Sequence, residues 1–500
     1  MLAQKLILGY GTTVVVQIVQ IFASIVVARI AGPTVLGTVA FGLAFVSTFE
    51  FIADLGIGPA HVKLISEGRD VGSCISTFAV LKTVNTFVFF IVVVVILLVQ
   101  RYVLNIAFES TAHEYVIILF LVAITINQLL LIPGTTFAAK TEQAKQSIPE
   151  FIRTFIYQVL RVTLVLLGYR AVALAFGNLI ATILVIPVIL YLFRGCPRAK
   201  FDKKLAMDYL RISVPVLFIG IATKVMHNVD KVMLQHFTNS EQLGYYTASY
   251  RIGSVVFMMA TSVGMLFLPL FSKATSEGNL GYINSTIDRF ERFTLIFVMP
   301  LVIFLSLYAD VIVKLVLGSQ YLPSIPLMAI INIAMFLMVL NIPYGNVITG
   351  MGFFRLFAIL SMVHLAVFMV LICVLPNPLL FDLGITGGAF TLLFSSVFAG
   401  VLYRIYAKRK CPLLSLHSNL KYVVFGIVNY IGFAYLYGYL STMYGATFKI
   451  IFLPGYFIVT YGALLIMGWI EKGDLNSLKM LFNLKKIGVY VKGELGNNND

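Results

Sequence analysis

Charge is what this chain of 500 residues has least of: Asp, Glu, Lys and Arg together make up 11% of it, against about 25% in soluble proteins. With 60% hydrophobic residues, that scarcity excludes a water-soluble globular domain. Carboxylates are the rarer sign, 21 Asp and Glu against 36 Lys and Arg. There are four cysteines, Cys74, Cys196, Cys373 and Cys411, at spacings that suit neither a disulfide framework nor a metal, so no metal or cofactor is implied. The net charge of +15 would fit nucleic acid. Its basic residues instead lie in short segments between apolar runs, where membrane topology places them, which sets nucleic-acid binding aside.

What is abundant is long apolar sequence. Runs lie near 7–31, 35–59, 74–99, 114–138, 148–168 and 170–193, then, after a basic segment, near 209–235, 243–270, 292–317, 323–350, 353–375 and 383–407, with a last pair near 420–443 and 446–470. Each is long enough for a helix to cross a hydrocarbon core, which takes about 20 residues. The expectation is an all-α polytopic membrane protein of about 14 transmembrane helices. The first run follows Lys5, is too long for a signal-peptide core, and reads as an uncleaved span. Of the 36 Lys and Arg residues, 26 fall on the side that holds both termini, five on the other and five inside spans. That side is therefore expected to be cytoplasmic, in a cell membrane. Opposite loops are short, the longest being Gln100–His113, which leaves no room for an external catalytic domain. Leu475, Leu478, Leu481 and Phe482 recur at helical spacing among lysines and suggest an interfacial helix, with Gly496–Asp500 disordered beyond it.

An internal repeat organises the runs. Leu36-Gly37 to Ser66-Glu67-Gly68 is echoed by Leu243-Gly244 to Ser276-Glu277-Gly278, and Leu167-Gly168 with Ala173 by Leu383-Gly384 with Ala389. Both echoes join spans six apart, so the units share orientation, as in transporters that rock two lobes around a midplane site. The expected units are an N-lobe at 1–193 with helices 1–6, a cytoplasmic basic linker at 194–208, a C-lobe at 209–410 with helices 7–12, helices 13–14 at 411–471 and a cytoplasmic tail at 472–500.

Several charges interrupt the apolar runs. Ile212–Gln235 carries Lys224, His227, Asp230 and Lys231, and Lys224, His227, Asn228 and Lys231 fall within an arc of about 100°. A charge at the centre of an isolated span costs about 2.5–3.5 kcal/mol, so these groups face protein or water. Arg251 and Arg161 are expected at a similar depth to Lys224, and the three can line a cavity that holds phosphate, or can pair with carboxylates and carbonyls instead. Arg29, near a span end, either snorkels or faces the same cavity. Glu50 and Asp54, four residues apart with Lys82 at similar depth, either form a structural ion pair or bind H⁺ or Na⁺ for coupling; Asp230 is a further candidate for the ion. Asp310 and Lys314 read as a local pair, His364 as a hydrogen-bonded interior histidine, and Gly32-Pro33 as a break or hinge.

The segments ARIAGPTVLGTVAFGLAF (28–45) and FIADLGIGPA (51–60) resemble the opening of Wzx-type polysaccharide flippases, of the multidrug/oligosaccharidyl-lipid/polysaccharide exporter superfamily. ISVPVLF (212–218), NVDKVML (228–234), LGYYTASYRI (243–252) and FLPLFSKATSEG (267–278) resemble the start of that family's second lobe, and YADVIVKLVLGSQYLPS (308–324) and LGITGGAF (383–390) continue the likeness. The resemblance implies two six-helix lobes plus two further helices, no enzymatic activity, and transport of a polyprenyl-linked glycan to the outer leaflet. It also implies other polysaccharide-assembly membrane proteins as partners, beside membrane lipids. A lipid II flippase and a cation-coupled multidrug antiporter share the superfamily, although a cationic substrate fits these basic spans poorly. A membrane glycosyltransferase or polymerase would need the acidic outer loops that are missing.

Topology is directly testable. Cysteines introduced at Gln320 and Asn377 should react with an impermeant external reagent, and those at Lys200 and Lys408 should not; the reverse pattern overturns the orientation.

Overall fold

A computed structural model describes residues 2–197, 199–264, 267–414 and 419–470, with the backbone alone for 2–18, 215, 259–263 and 440–453. The expected interfacial helix and tail, from residue 471 onward, lie outside the described residues. Those described form helices and connecting turns, with no strand among them. In chain order the helices are α1 (Leu2–Thr48), α2 (Phe51–Asp54), α3 (Ile57–Ser66), α4 (Val71–Leu98), α5 (Thr111–Ala139), α6 (Gln143–Leu166), α7 (Ala171–Phe193), α8 (Lys203–Phe237) and α9 (Ser240–Gly264). They continue as α10 (Phe267–Ser276), α11 (Leu280–Phe293), α12 (Met299–Leu307), α13 (Ala309–Ile312), α14 (Ile325–Gly350), α15 (Phe354–Val374), α16 (Gly384–Lys410) and α17 (Leu420–Ile466). Polar caps set several starts: Asp70 accepts from Ser73 N before α4, and Asp202, at the end of the basic segment, accepts from Lys204 N and Leu205 N before α8.

Nine helical stretches among the described residues are long and apolar enough to cross a membrane, or ten when α8 is counted across its 55° bend between Val214 and Val216. This is fewer than the apolar runs suggested, for two physical reasons. Adjacent runs merge, α1 to α3 joining into one stretch from Val19 to Ser66, while in α17 Leu420–Tyr439 counts as a span and Pro454–Ile466 is a shorter apolar helix among the described residues. Others, notably the amphipathic α6 and the polar α9, carry too many hydrophilic side chains. At 1.5 Å per residue, the 47 residues of α1 would extend about 70 Å, more than twice a hydrocarbon core of about 30 Å. Its one non-helical residue is Gly32 (φ 82°, ψ 172°), followed by Pro33.

That break exposes backbone. Proline has no N–H, so the carbonyl of Arg29 loses its donor four residues on, and the excursion at Gly32 does the same to Ala28. Gln320 Nε2 donates to Arg29 O at 2.8 Å, and Tyr321 Oη to Ala28 O at 3.1 Å. Both donors belong to the 3₁₀ turn Ser319–Ser324 in the second half of the chain.

The first-half helices pack α1 against α5, α6 and α7, and α5 against α4 and α7; in the second half α14 is central, against α9, α10, α12, α15 and α16. Between the halves, α1 lies along α9 and α8, and α8 continues onto α15. The α1–α9 crossing is close because two repeat glycines meet there. A Cβ on Gly37 would lie 1.8 Å from Ser240 O, and one on Gly244 2.0 Å from Pro33 O. Only a residue without a side chain permits this approach.

Neither obstruction is a flexible side chain, so Gly37→Ala or Gly244→Ala should destabilise the protein by about 1–3 kcal/mol. Unfolding in detergent measures it, with Gly134→Ala as control, since nothing lies within 4 Å of a Cβ there. Equal midpoints for all three variants would show that the crossing is not tight.

Candidate functional site

Glu50 and Asp54 do not lie on one continuous helix. The chain leaves α1 after Thr48, makes the single turn α2, and passes into α3 through Leu55 and Gly56, both at positive φ. This puts the two carboxylates beside α4, α5 and α8. Lys82 Nζ, 1% exposed, donates to Asp54 Oδ1 at 3.2 Å and to Gln128 Oε1 at 2.7 Å. Gln128 Nε2 in turn donates to Glu50 Oε1 at 2.6 Å, and Lys224 Nζ donates to Glu50 Oε2 at 2.9 Å. Two ammonium groups face two carboxylates, and the cluster is neutral. Lys224 is its most open member, with 48% of its side chain exposed.

The rest of the α8 stripe is also matched. Lys231 Nζ donates to both oxygens of the neighbouring Asp230, at 3.0 and 3.2 Å, and to His227 O, and it sits 4.6 Å from the ring centre of Tyr250. Asp230, 1% exposed, also accepts from Tyr246 Oη at 2.7 Å. Arg29 lies apart from these groups, donating to Leu315 O at 2.7 Å.

Arg161 and Arg251 are different. Arg251 Nη1 donates to Ser24 Oγ at 3.0 Å, and Arg161 Nη1 to Gln158 Oε1 at 3.0 Å, with the Arg161 guanidinium 5.3 Å from the ring centre of Tyr157. Neither has a carboxylate partner among the described residues, and the Nε of each is buried without an acceptor. Arg161 lies within electrostatic reach of Arg251. Beside Arg251 is a cavity of about 160 Å³ walled by Ile21, Ser24, Ala28, Leu36 and Ile312. Two guanidinium groups without a carboxylate partner among the described residues keep much of their desolvation cost.

Contacts at the α8–α9 turn join the two halves. Glu109 Oε2 accepts from Ser240 N at 2.8 Å, Ser240 Oγ at 2.6 Å and Gln235 Nε2 at 2.6 Å, and His113 Nε2 lies 2.8 Å from Ser240 Oγ. Burial raises the Glu109 pKa, but the bonds from Ser240 and Gln235 outweigh it and hold the carboxyl below its usual value. The start of α8 is tied to the first half as well. His61, stacked on Phe78, bridges Tyr209 Oη at 2.6 Å and Thr136 Oγ1 at 3.0 Å. Gln128, His61 and the Glu109–Ser240 network were not singled out from sequence; a lone amide or histidine inside an apolar run is the signal that marks the first two. Asp310 receives Tyr437 Oη at 2.6 Å, and His364 Nδ1 lies 3.4 Å from Tyr403 Oη.

With this geometry in place, comparison with known proteins gives the following. The family described as "Polysaccharide biosynthesis protein" matches residues 26–326. The teichuronic acid biosynthesis protein TuaB of Bacillus subtilis (strain 168) is 24% identical over 200 residues, which is 37% of this chain and 40% of that protein. Among solved structures, the lipid II flippase MurJ in an inward closed conformation superposes with a TM-score of 0.72 at 16% identity, covering 93% of this chain and 99% of that one. An inward-facing multidrug resistance MATE family transporter of the MOP superfamily gives 0.67 at 14% identity, covering 79% and 94%. At these identities the structural likeness shows the fold.

The Lys82–Asp54 pair should be measurable. Because Asp54 remains 42% exposed, Lys82→Met should cost about 1–3 kcal/mol, less than the 3–5 typical of a fully buried pair. Adding Asp54→Asn should recover part of that loss in a double-mutant cycle of detergent unfolding. Strict additivity would show that the pair contributes nothing.

Proposed function

This chain belongs to the polysaccharide biosynthesis protein family, and on that premise we propose that it is a flippase for polyprenyl-(pyro)phosphate-linked oligosaccharide, carrying it from the cytoplasmic to the outer leaflet by alternating access. Its fold is that of the MOP superfamily. In this reading the chain crosses the membrane 14 times with both termini cytoplasmic. Residues 1–193 and 209–410 form the two lobes, 194–208 the linker, and 411–471 the last two helices. The single observation that carries the reading is that Arg161, buried, and Arg251, half-buried with its Nε enclosed, have no carboxylate partner among the described residues. A phosphate or pyrophosphate head group is the anion that relieves them, since guanidinium groups bind such oxygens in a fork. The same pair disfavours a cationic drug as substrate.

Lys224 contributes by exchange. Its exposed ammonium is held by Glu50, and an incoming phosphate takes the place of that carboxylate. Glu50 then keeps Gln128 as donor and becomes the natural site for H⁺ or Na⁺, with Asp54 close by. Lys231, His227 and Asp230 satisfy one another and serve the substrate less directly, as does Arg29.

Removing a charged hydrogen-bond donor costs about 1.5–3 kcal/mol, so Arg251→Ala or Arg161→Ala should slow export about 10- to 100-fold without impairing insertion. Lys224→Arg should keep part of the activity. Lipid-linked sugars accumulating on the cytoplasmic face, identified by mass spectrometry, give the readout and the glycan. Full export by a correctly inserted Arg161→Ala/Arg251→Ala double variant would sink the phosphate site.

A further inference from the structure

A second cavity, of about 600 Å³, lies away from the arginine pair, where the end of α4 approaches the last turns of α8. Phe41, Phe45 and Phe108 wall it on the inside, Val99 and Met233 on its flanks, and Glu109 stands at its polar rim. The surface around its mouth is apolar and open: Val95, Val99, Leu104 and Ile106 are all exposed, as are Tyr102 and Val103 of the widened helical turn that ends α4. Such a surface is stable only against hydrocarbon, so the slot opens sideways into the bilayer. The slot is apolar along Phe41, Phe45, Val95, Val99 and Phe108 and polar along Gln100, His113, Gln235 and His236; facing lipid, its apolar wall takes a lipid chain.

The chain alone confers no preference, because lipid tails are as apolar as the slot walls. Selection falls to the rim. Glu109 uses Oε2 for its three bonds to Ser240 and Gln235, while Oε1 has no donor among the described residues. His113 Nε2 lies 3.9 Å from Oε2, not Oε1, and Arg101 is occupied by Glu114 at 2.6 Å. The rim therefore presents a carboxylate oxygen in need of a cationic donor, and it repels a lipid whose head is purely anionic.

We propose that this slot is a binding site for a bilayer phospholipid with a primary ammonium head group, its chain between α4 and α8 and its ammonium on Glu109 Oε1. Choline lacks the N–H that the oxygen requires, and a phosphoglycerol head lacks the charge. In the orientation proposed above the lipid belongs to the outer leaflet. The site involves no glycan and no residue of the arginine pair, so it stands or falls separately from the flippase reading.

The chain has one tryptophan, Trp469, which makes fluorescence quenching selective. In a Trp469→Phe background, Met233→Trp places a reporter in the slot, Val99→Trp places a second on its other flank, and Val88→Trp marks an exposed position elsewhere on α4. The protein is reconstituted in vesicles where one of phosphatidylethanolamine, phosphatidylcholine or phosphatidylglycerol carries bromine on its chains. Brominated phosphatidylethanolamine should associate with the slot reporters about two- to fivefold more strongly than the other two, the range of one partly exposed ion pair. Val88→Trp should show no preference. Glu109→Gln, which keeps an acceptor for Ser240, should abolish the preference at the slot. Equal quenching by all three lipids at both slot reporters overturns the proposal, as does displacement of phosphatidylethanolamine by a brominated polyprenyl phosphate. The comparison among lipids uses an unaltered Glu109 and holds whatever the Gln variant does to folding.

Discussion

Hydrocarbon solvates neither charge nor free backbone, and this structure is arranged around that constraint. Inside the bundle each polar group is matched by another or keeps its desolvation cost. Carboxylates are in short supply, and their positions decide which cations are quiet. Glu50 and Asp54 neutralise Lys224 and Lys82, and Asp230 neutralises Lys231. Farther along, Glu291 takes Arg404 at 3.2 Å together with Tyr344 and Asn419. Arg161 and Arg251 are left with neutral acceptors alone. Their isolation has meaning because so many of their neighbours are paired.

The same rule governs the backbone. Pro33 frees two carbonyls of α1, and the side chains that satisfy them come from the other half of the molecule. Gly37 and Gly244 remove the side chains that would hold the halves apart, while Glu109 reaches across to the α8–α9 turn. A break, a pair of small residues and an acid at the rim thus tie one end of the junction together. Around them the junction is apolar, with Val27, Leu36 and Phe41 in one buried cluster with Leu243, Tyr246 and Ala248.

What the sequence revealed depended on range. Composition and run length identified an all-helical membrane protein, and the repeat singled out Leu36-Gly37 and Leu243-Gly244, whose glycines touch. The break at Gly32-Pro33 was legible because proline's missing N–H is a local fact. The Lys82–Asp54 pair followed from matching depth along neighbouring spans. The partner of Lys224 did not, since nothing local says that the turn after α1 swings Glu50 toward α8, 174 residues away. Gln128, a neutral amide amid leucines, carried no charge to draw notice, yet it links the two ion pairs. Separate apolar runs also failed to show that α1 to α3 would join into one helical stretch, because run boundaries record hydropathy and not backbone continuity.

In the proposed flippase the uneven pairing would also order events in transport. An anion meeting Lys224 first competes with a carboxylate already in place, so its gain there is only the difference between two acceptors. Deeper in, at Arg161 and Arg251, no carboxylate is displaced, and the relief of two charges without a carboxylate partner becomes available. A head group is therefore drawn from the open, compensated lysine toward the closed, uncompensated arginines. In that reading the strongest binding falls beside α1, which packs against both α6 and α9 and bonds Arg251 through Ser24. In the proposed flippase an anion seated there would be held by both halves at once, through Arg161 of α6 and Arg251 of α9.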